Sequence, residues 1–360
     1  MRIGSIRWVP ATLPNPVHTG PVPSSDPGPP PDPGQITVRP AGPDDIGAIV
    51  ELARAALGWS SEDPNEDFFR WKHLDNPAGR SPMWVAHDDE GLVGVRAFLR
   101  WRFTTAAGTS ARAVRAVDTA THPRAQGRGI FTRLTLAAVQ ELSSQGVDFV
   151  FNTPNDQSRP GYLKMGWQVV GRVPIVVRPR GPRGVWAMSR ARRPAAKWSL
   201  PSPAGQPALD VLADTAAVDE LVGATASAGL ATDRTAAHLG WRYGFAPLHY
   251  RAVTAAGGVA NGLAVFRLRA RGRAREATVC ELLAPDARTA RGLLHQVAAT
   301  TGADYLIATP GAHSPWARRL VPMPGQGPIL TWRSLDAAGA AGGPPPLDDW
   351  NLALGDVELF

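Results

Sequence analysis

Cysteine is almost missing from this chain, because of its 360 residues only Cys280 carries a thiol. A single cysteine forms no internal disulfide, which agrees with a reducing compartment. Long apolar runs are missing as well, none approaching the ~20 residues that cross a bilayer. The N-terminal MRIGSIRWVPATLPNPVHTG is broken by prolines and polar residues where a secretory signal needs an apolar core. The expected setting is therefore cytoplasmic, with no membrane partner. Lysine is scarce, since only Lys72, Lys164 and Lys197 stand among the 38 basic residues. Arginine in its place, with abundant Ala, Gly and Pro, is the composition of a GC-rich genome. The net charge of +7 is thus partly compositional. Without a zinc-finger, helix-turn-helix or RNP signature it does not point to nucleic acid. There is no H-E-x-x-H, C-x-x-C or G-x-S-x-G, so neither a metal nor a nucleophilic enzyme is expected.

What is present is organised around VDTATHPRAQGRGIFTRL, Val117 to Leu134. It reads as a buried strand, a tight basic turn and the start of a helix. Arg124, Gly127 and Gly129 have R-x-x-G-x-G spacing directly before Ile130, Phe131, Leu134, Ala138 and Leu142, which mark one apolar helix face. Glycines there let backbone N–H groups at a helix N-terminus approach an anion closely. A diphosphate fits that description, and a structural left-handed turn is the plain alternative. The segments AVRAVDTA before and GVDFVFNTP after complete the order strand, turn, helix, strand.

Residues 1–34 are Pro/Gly-rich and expected to be disordered. ITVRPAGPDD opens the ordered chain as a strand, with Asp44 or Asp45 as candidate cap for a helix through Ile46, Ile49, Val50, Leu52 and Ala53. NEDFFRWKH reads as helix, and MWVAHDDEGLVGVRAFLRWRF as a hairpin turning at Asp88 to Gly91. MSRARRPAAKWSLPSPAGQP reads as a basic, solvated linker.

The second half repeats the first. Trp71 stands six residues before Pro77 and Trp241 six before Pro247, while GVDFVFNTP at Gly146 matches GADYLIATP at Gly302. The second copy has no R-x-x-G-x-G turn after ATVCELL, Gly311 replaces Asn155, and Arg318 replaces Tyr162. The expected organisation is a disordered tail (1–34), a catalytic domain (35–182), a linker leading into the second copy (183–229), a degenerate domain (230–335), and a C-terminal linker and strand (336–360).

The turn, together with Asn155 after the next strand and Y-x-K-x-G-aromatic at Tyr162 to Trp167, resembles the Gcn5-related N-acetyltransferase (GNAT) superfamily. The resemblance implies an α/β (α+β) fold of two tandem domains, each a mixed central sheet flanked by helices, the second degenerate. It implies acetyl-CoA as co-substrate, with the backbone of Gln126, Gly127, Arg128, Gly129 and Ile130 on its pyrophosphate and with Arg124 and Arg128 adding charge. It also implies carbonyl polarisation by backbone N–H at Thr119, Ala120 or Thr121, and Asn155 on the pantetheine arm or as a helix cap. Tyr162 matches the family's general acid, because a phenol is protonated at neutral pH and can donate to a departing thiolate. For the base, Asp118 is a candidate whose strand parity equally allows a structural hydrogen bond, and His122 reads as a turn residue. The tandem arrangement and terminal phenylalanine resemble the enhanced-intracellular-survival acetyltransferases, whose terminal carboxylate enters the active site; this implies a role for Phe360. The expected activity is acetyl transfer to a primary amine of a small molecule. A protein or peptide amine, a CoA- or partner-binding protein without turnover, and a homo-oligomer stay open.

Overall fold

Two long hairpins of alternating apolar and β-branched residues form the centres of two sheets. The computed structural model describes residues 36–358 except 192–193, 227–228, 312–313, 315, 318–319 and 337–342. The tail 1–34 and Phe360 lie outside the described residues. The first half runs β1 (Thr37–Pro40), α1 (Ile46–Leu57), α2 (Asn65–His73), β2 (Met83–Asp88), β3 (Gly91–Thr104), β4 (Ser110–Thr121), α3 (Ile130–Ser144), β5 (Phe149–Asn152), α4 (Arg159–Lys164) and β6 (Gln168–Arg172). Next come β7 (Val176–Pro179), α5 (Gly181–Arg190), β8 (Gln206–Pro207), α6 (Ala208–Leu212), α7 (Thr215–Ala224), β9 (Leu230–Thr232) and α8 (Ala236–Arg242). The second hairpin is β10 (Arg251–Ala255), β11 (Gly258–Arg271) and β12 (Ala274–Leu283). It is followed by α9 (Ala287–Thr301), β13 (Tyr305–Ala308), β14 (Val321–Pro322), β15 (Ile329–Ser334), β16 (Trp350–Asn351) and α10 (Leu354–Val357).

The chain order does not divide the sheets. The first sheet has the order β1-β2-β3-β4-β5-β15-β6, with β9 on β3 and β16 on β9, and the second β14-β7-β13-β12-β11-β10-β8. Thus β15, from the second copy, inserts between β5 and β6, while β7, from the first, pairs antiparallel with β13. Each half supplies a strand to the other. The expected boundaries at 182 and 335 therefore cut through an exchange, because Val176–Pro179 and Ile329–Ser334 belong to the sheet of the opposite copy.

The core between the sheets gathers Phe103, Phe149, Phe151, Trp332 and Trp350, with α1 contributing Ile46, Ile49, Val50 and Leu52. Helix α3 buries Ile130, Leu134, Ala138 and Leu142 on the other face of the first sheet, the face the apolar spacing predicts. Neither Asp44 nor Asp45 caps α1. The Asp45 carboxylate instead receives Arg39 at 2.7 and 2.8 Å and the Gly42 N–H at 2.7 Å.

The C-terminal segment departs from the expected single strand. Among its described residues only Trp350–Asn351 pairs, parallel to β9; Ala353 N–H then donates to Asp356 Oδ2 at 2.7 Å and the chain coils into α10. Buried acids on this segment accompany the coil, reaching arginines of the second copy. Asp356 Oδ2 accepts from Arg234 at 2.7 Å, and Glu358 Oε1 lies 2.7 Å from Arg267 and 2.6 Å from Arg269. Arg115 on β4 donates to the carbonyls of Asp356 and Val357. Removing one partner from such a buried set typically costs about 3–5 kcal/mol, so the tail is a structural clamp.

Residues 183–229 are more than a solvated linker. Ala196 and Leu200 N–H groups donate to Ala270 and Leu268 on the β11 edge. Lys197 is drawn into a box of Trp59, Phe68 and Trp198, its ammonium 4.7 to 5.0 Å from the ring centroids. No helix among the described residues is long and apolar enough to cross a membrane.

Candidate active site

Strands β4 and β5 pair in parallel only from Ala113–Arg115 to Phe149–Phe151, so the last residues of β4 diverge from β5. At that divergence the β3–β4 register slips. Arg96 faces Thr119 while Ala97 faces Val117, leaving Asp118 as a bulge residue at φ 38°. The bulge directs its carboxylate to α2, where Oδ2 lies 2.7 Å from Lys72 Nζ and 2.7 Å from His73 Nε2. The other ring nitrogen of His73 lies 2.9 Å from Ser81 Oγ. Burial pushes the Asp118 pKa up, but Lys72 and His73 outweigh it and hold the carboxyl well below its usual range. Burial likewise lowers the His73 pKa, with Asp118 only partly offsetting it. A carboxylate so stabilised is a weak proton acceptor. Of the two roles left open for Asp118, the geometry fits the structural hydrogen bond.

The basic turn follows. His122 Nδ1 accepts from Arg124 N–H at 3.3 Å, making His122 the turn residue its position suggests. Gly127 and Gly129 have φ 78° and 72°, and a Cβ at either would meet nothing within 4 Å. Space over the turn is open, and the left-handed backbone favours glycine. Gly129 is the N-cap of the 15-residue α3 and brings no side chain to its first-turn N–H groups. The second copy differs at that point. Asp286 caps α9, its Oδ1 accepting Arg288 N–H at 2.7 Å and Thr289 N–H at 2.9 Å. The α3 start thus has no side-chain cap, while the N–H groups at the α9 start are held by an internal carboxylate.

The arginines of the turn do not project freely. Arg124 grips Asp88 through two nitrogens at 2.5 and 2.9 Å and lies 3.6 Å from Glu90, and Arg128 lies 3.5 Å from Asp88. The hydrogen bond from Arg124 holds the Asp88 carboxyl at about 2. Both guanidinium groups thus tie the turn to the β2–β3 hairpin, so the backbone is the part of the cradle with open access. Ile130 is buried under the sheet, and Gln126 is exposed.

Tyr162, on α4, is buried edge-on to Phe131 and Trp167 at 5.4 and 5.2 Å. Its hydroxyl oxygen accepts from Arg96 Nη2 at 2.6 Å, and Arg96 Nη1 donates to Thr119 Oγ1. Arg96 therefore joins the tyrosine to the first residue beyond the bulge. In the sequence its one signal is an arginine inside the apolar run LVGVRAFL. Thr121 is half-buried and Ala120 buried, both at the divergent end of β4. Asn155 holds the turn ahead of α4, its Oδ1 accepting Ser158 N–H at 2.8 Å and Ser158 Oγ at 2.9 Å, while Ser158 is the N-cap and no side chain caps the helix.

The site groups fall on two sides of β4. Arg96, Thr119 and Tyr162 stand with α3 and α4, while Asp118, Lys72 and His73 stand with α2. A separate cavity of about 480 Å³ lies where β12 diverges from β13, lined among others by Asp233, Glu281, Thr309 and Trp316.

Residues 37–170 match the family model of the acetyltransferase (GNAT) domain. No curated protein sequence matches the chain. Among solved structures, the GCN5-related N-acetyltransferase from Kribbella flavida superposes with TM-score 0.61 at 16% identity, over 85% of this chain and 72% of that one. The GCN5-related N-acetyltransferase from Anabaena variabilis gives 0.60 at 14%, over 84% and 73%. Eis1 from Mycobacterium abscessus gives 0.54 at 15%, over 86% and 75%. At such identities the likeness is one of fold.

Proposed function

We propose that this chain, whose residues 37–170 match the GNAT acetyltransferase domain model, transfers an acetyl group from acetyl-CoA to a primary amine of a small molecule. The observation that carries this reading is the α3 N-terminus, where Gly127 and Gly129 hold a left-handed backbone under open space and no side chain caps the helix. Such a terminus suits a diphosphate, because its N–H groups and helix dipole both favour negative charge. Tyr162 is the proton donor in this scheme, lying at the divergence of β4 and β5 where the thioester would enter. The amine attacks the carbonyl, and the tyrosine protonates the sulfur as it leaves. The capped second copy carries the fold and the arginine clamp on the tail.

The deciding experiment is release of free CoA thiol from acetyl-CoA over a panel of small primary amines, with an N-terminal peptide and a lysine peptide as competitors. Amine-dependent release with a small molecule, preferred over the peptides, is expected. Saturable acetyl-CoA binding with no release over any amine would instead favour a CoA-binding protein without turnover.

A further inference from the structure

Arg96 is 1% exposed, and among the described residues no carboxylate comes within ion-pair distance of its guanidinium. Its surroundings are aromatic, with the guanidinium carbon 4.8 Å from the Phe98 centroid, 5.2 Å from Tyr162 and 5.6 Å from Phe131. Two oxygens, of Tyr162 and Thr119, receive its hydrogen bonds, and Nε has no partner. A cation buried this way is costly, because water is lost and no opposite charge replaces it. Arg115 is also buried but gives its hydrogen bonds to the carbonyls of Asp356 and Val357 and to Thr153, whereas four other buried arginines show the contrast. Arg234, Arg267, Arg269 and Arg271 each face Asp or Glu at 2.6 to 3.0 Å.

The geometry points to Arg96 as a positioning residue that aims the Tyr162 hydroxyl and stabilises the negative charge of proton transfer. The argument rests on the reading of Tyr162 as proton donor. Arginine has donors only, so at 2.6 Å the tyrosine oxygen must accept. Its own O–H is thereby turned away from Arg96 and left to donate elsewhere. In the transfer, the amine nitrogen forms the new bond to the acetyl carbon, and the C–S bond breaks with its electron pair on sulfur. The Tyr162 proton passes to that sulfur and leaves a phenoxide beside the guanidinium. The proton shed by the amine reaches solvent, and solvent restores the phenol. The charge missing around Arg96 in the resting site is thus supplied during turnover, which is how preorganised electrostatic stabilisation acts. Because Arg96 also holds Thr119, the same cation fixes the strand end that follows the bulge.

A purely packing role for the aromatic sandwich predicts something different, and a mutant cycle on the full chain separates the two. Single-turnover rates with saturating acetyl-CoA are measured for wild type, Arg96→Met, Tyr162→Phe and the double variant, with folding checked by circular dichroism. Arg96→Met is expected to slow the chemical step about 10- to 100-fold, the range of a charge-assisted hydrogen bond, while the acetyl-CoA KM changes less than about twofold. Arg96→Lys should recover part of the loss. In the Tyr162→Phe background, Arg96→Met should add nothing. Equal slowing by Arg96→Met in both backgrounds, or a raised KM with kcat unchanged, would overturn the role given to Arg96 and leave Tyr162 in place. A Tyr162→Phe rate within about threefold of wild type, against the 10²- to 10⁴-fold of general acid catalysis, would instead remove the proton-donor reading itself. If Arg96→Met fails to fold, Arg96→Lys and Arg96→Gln complete the same cycle.

Discussion

Trp71 and Trp241 each donate the indole N–H to the backbone carbonyl of the other, both at 2.8 Å, with rings stacked 5.5 Å apart. The pair joins α2 to α8, 170 residues apart in sequence, through one reciprocal contact.

The first prediction concerns this pair. Trp241→Phe removes the indole donor from the Trp71 carbonyl and should destabilise the chain by about 1–2 kcal/mol, whereas Trp71→Phe should cost less, because the Trp241 carbonyl keeps Gly244 N–H at 3.2 Å. The double variant should lose clearly less than the sum, because the ring contact and reciprocal bonds form one unit. Urea unfolding of the four proteins measures this. Strictly additive losses would mean that the two bonds act independently.

Much of the fold was legible in advance where local physics decides it. The face of α3 and the hairpin turning at Asp88 to Gly91 follow from spacing within one segment. The strand exchange was not legible, because VVRP and ILTWRS carry the same apolar pattern whichever sheet receives them. At the site, the turn glycines could be read because left-handed backbone demands them. Asp118 could not be read, since one bulge residue reverses the face on which a strand side chain lies. Arg96 and the tail acids are not legible locally, for a shared reason. Their partners, Tyr162 and Arg267, lie 66 and 91 residues away in sequence.

A second prediction tests the turn and counts sites. Gly127→Val puts a branched side chain into the open space over the turn, at a φ that β-branched residues resist. Acetyl-CoA binding should be lost, while melting falls only by the local strain of about 1–3 kcal/mol. The wild-type chain should bind one acetyl-CoA, because Asp286 already occupies the N–H groups of the α9 terminus. Titration calorimetry reports both quantities. Two equivalent sites, or unchanged affinity in Gly127→Val, would contradict the cradle.

Stability should fall on mild acidification. Burial is the first cause that takes the His238 pKa from 6.5 to about 4, and Arg234 and Arg242 add to it against the pull of Asp356. Between those values the unfolded chain binds a proton that the folded chain refuses, so stability rises with pH there and is lost as pH drops from about 6.5 toward 4. At about 1.4 kcal/mol per pKa unit, the loss attributable to His238 approaches about 3 kcal/mol by pH 4. His73, also lowered, acts in the same direction. His238→Phe keeps a ring against Trp101 and Trp241 and should flatten part of this slope. Denaturant midpoints at pH 7, 6 and 5 make the comparison. Parallel pH profiles for variant and wild type would assign the slope to other groups.

The last prediction separates structure from catalysis at Asp118. Lys72 is 3% exposed and has the Asp118 carboxylate at 2.7 Å as its counter-ion. Asp118→Asn leaves that ammonium buried without an opposite charge, an imbalance that costs about 3–5 kcal/mol in comparable buried pairs. A general base at this position would give the opposite pattern, with kcat falling by orders of magnitude and stability hardly changed. The held-down pKa of Asp118 also sets the pH behaviour. Its stabilising contribution is complete above the usual carboxylate range and is lost only as pH falls through the depressed folded value, so it adds no limb to a rate profile between pH 5 and 9. The expected outcome for Asp118→Asn is a large drop in melting temperature with kcat per folded molecule within about threefold of wild type. A stable variant with abolished turnover would return Asp118 to the role of base.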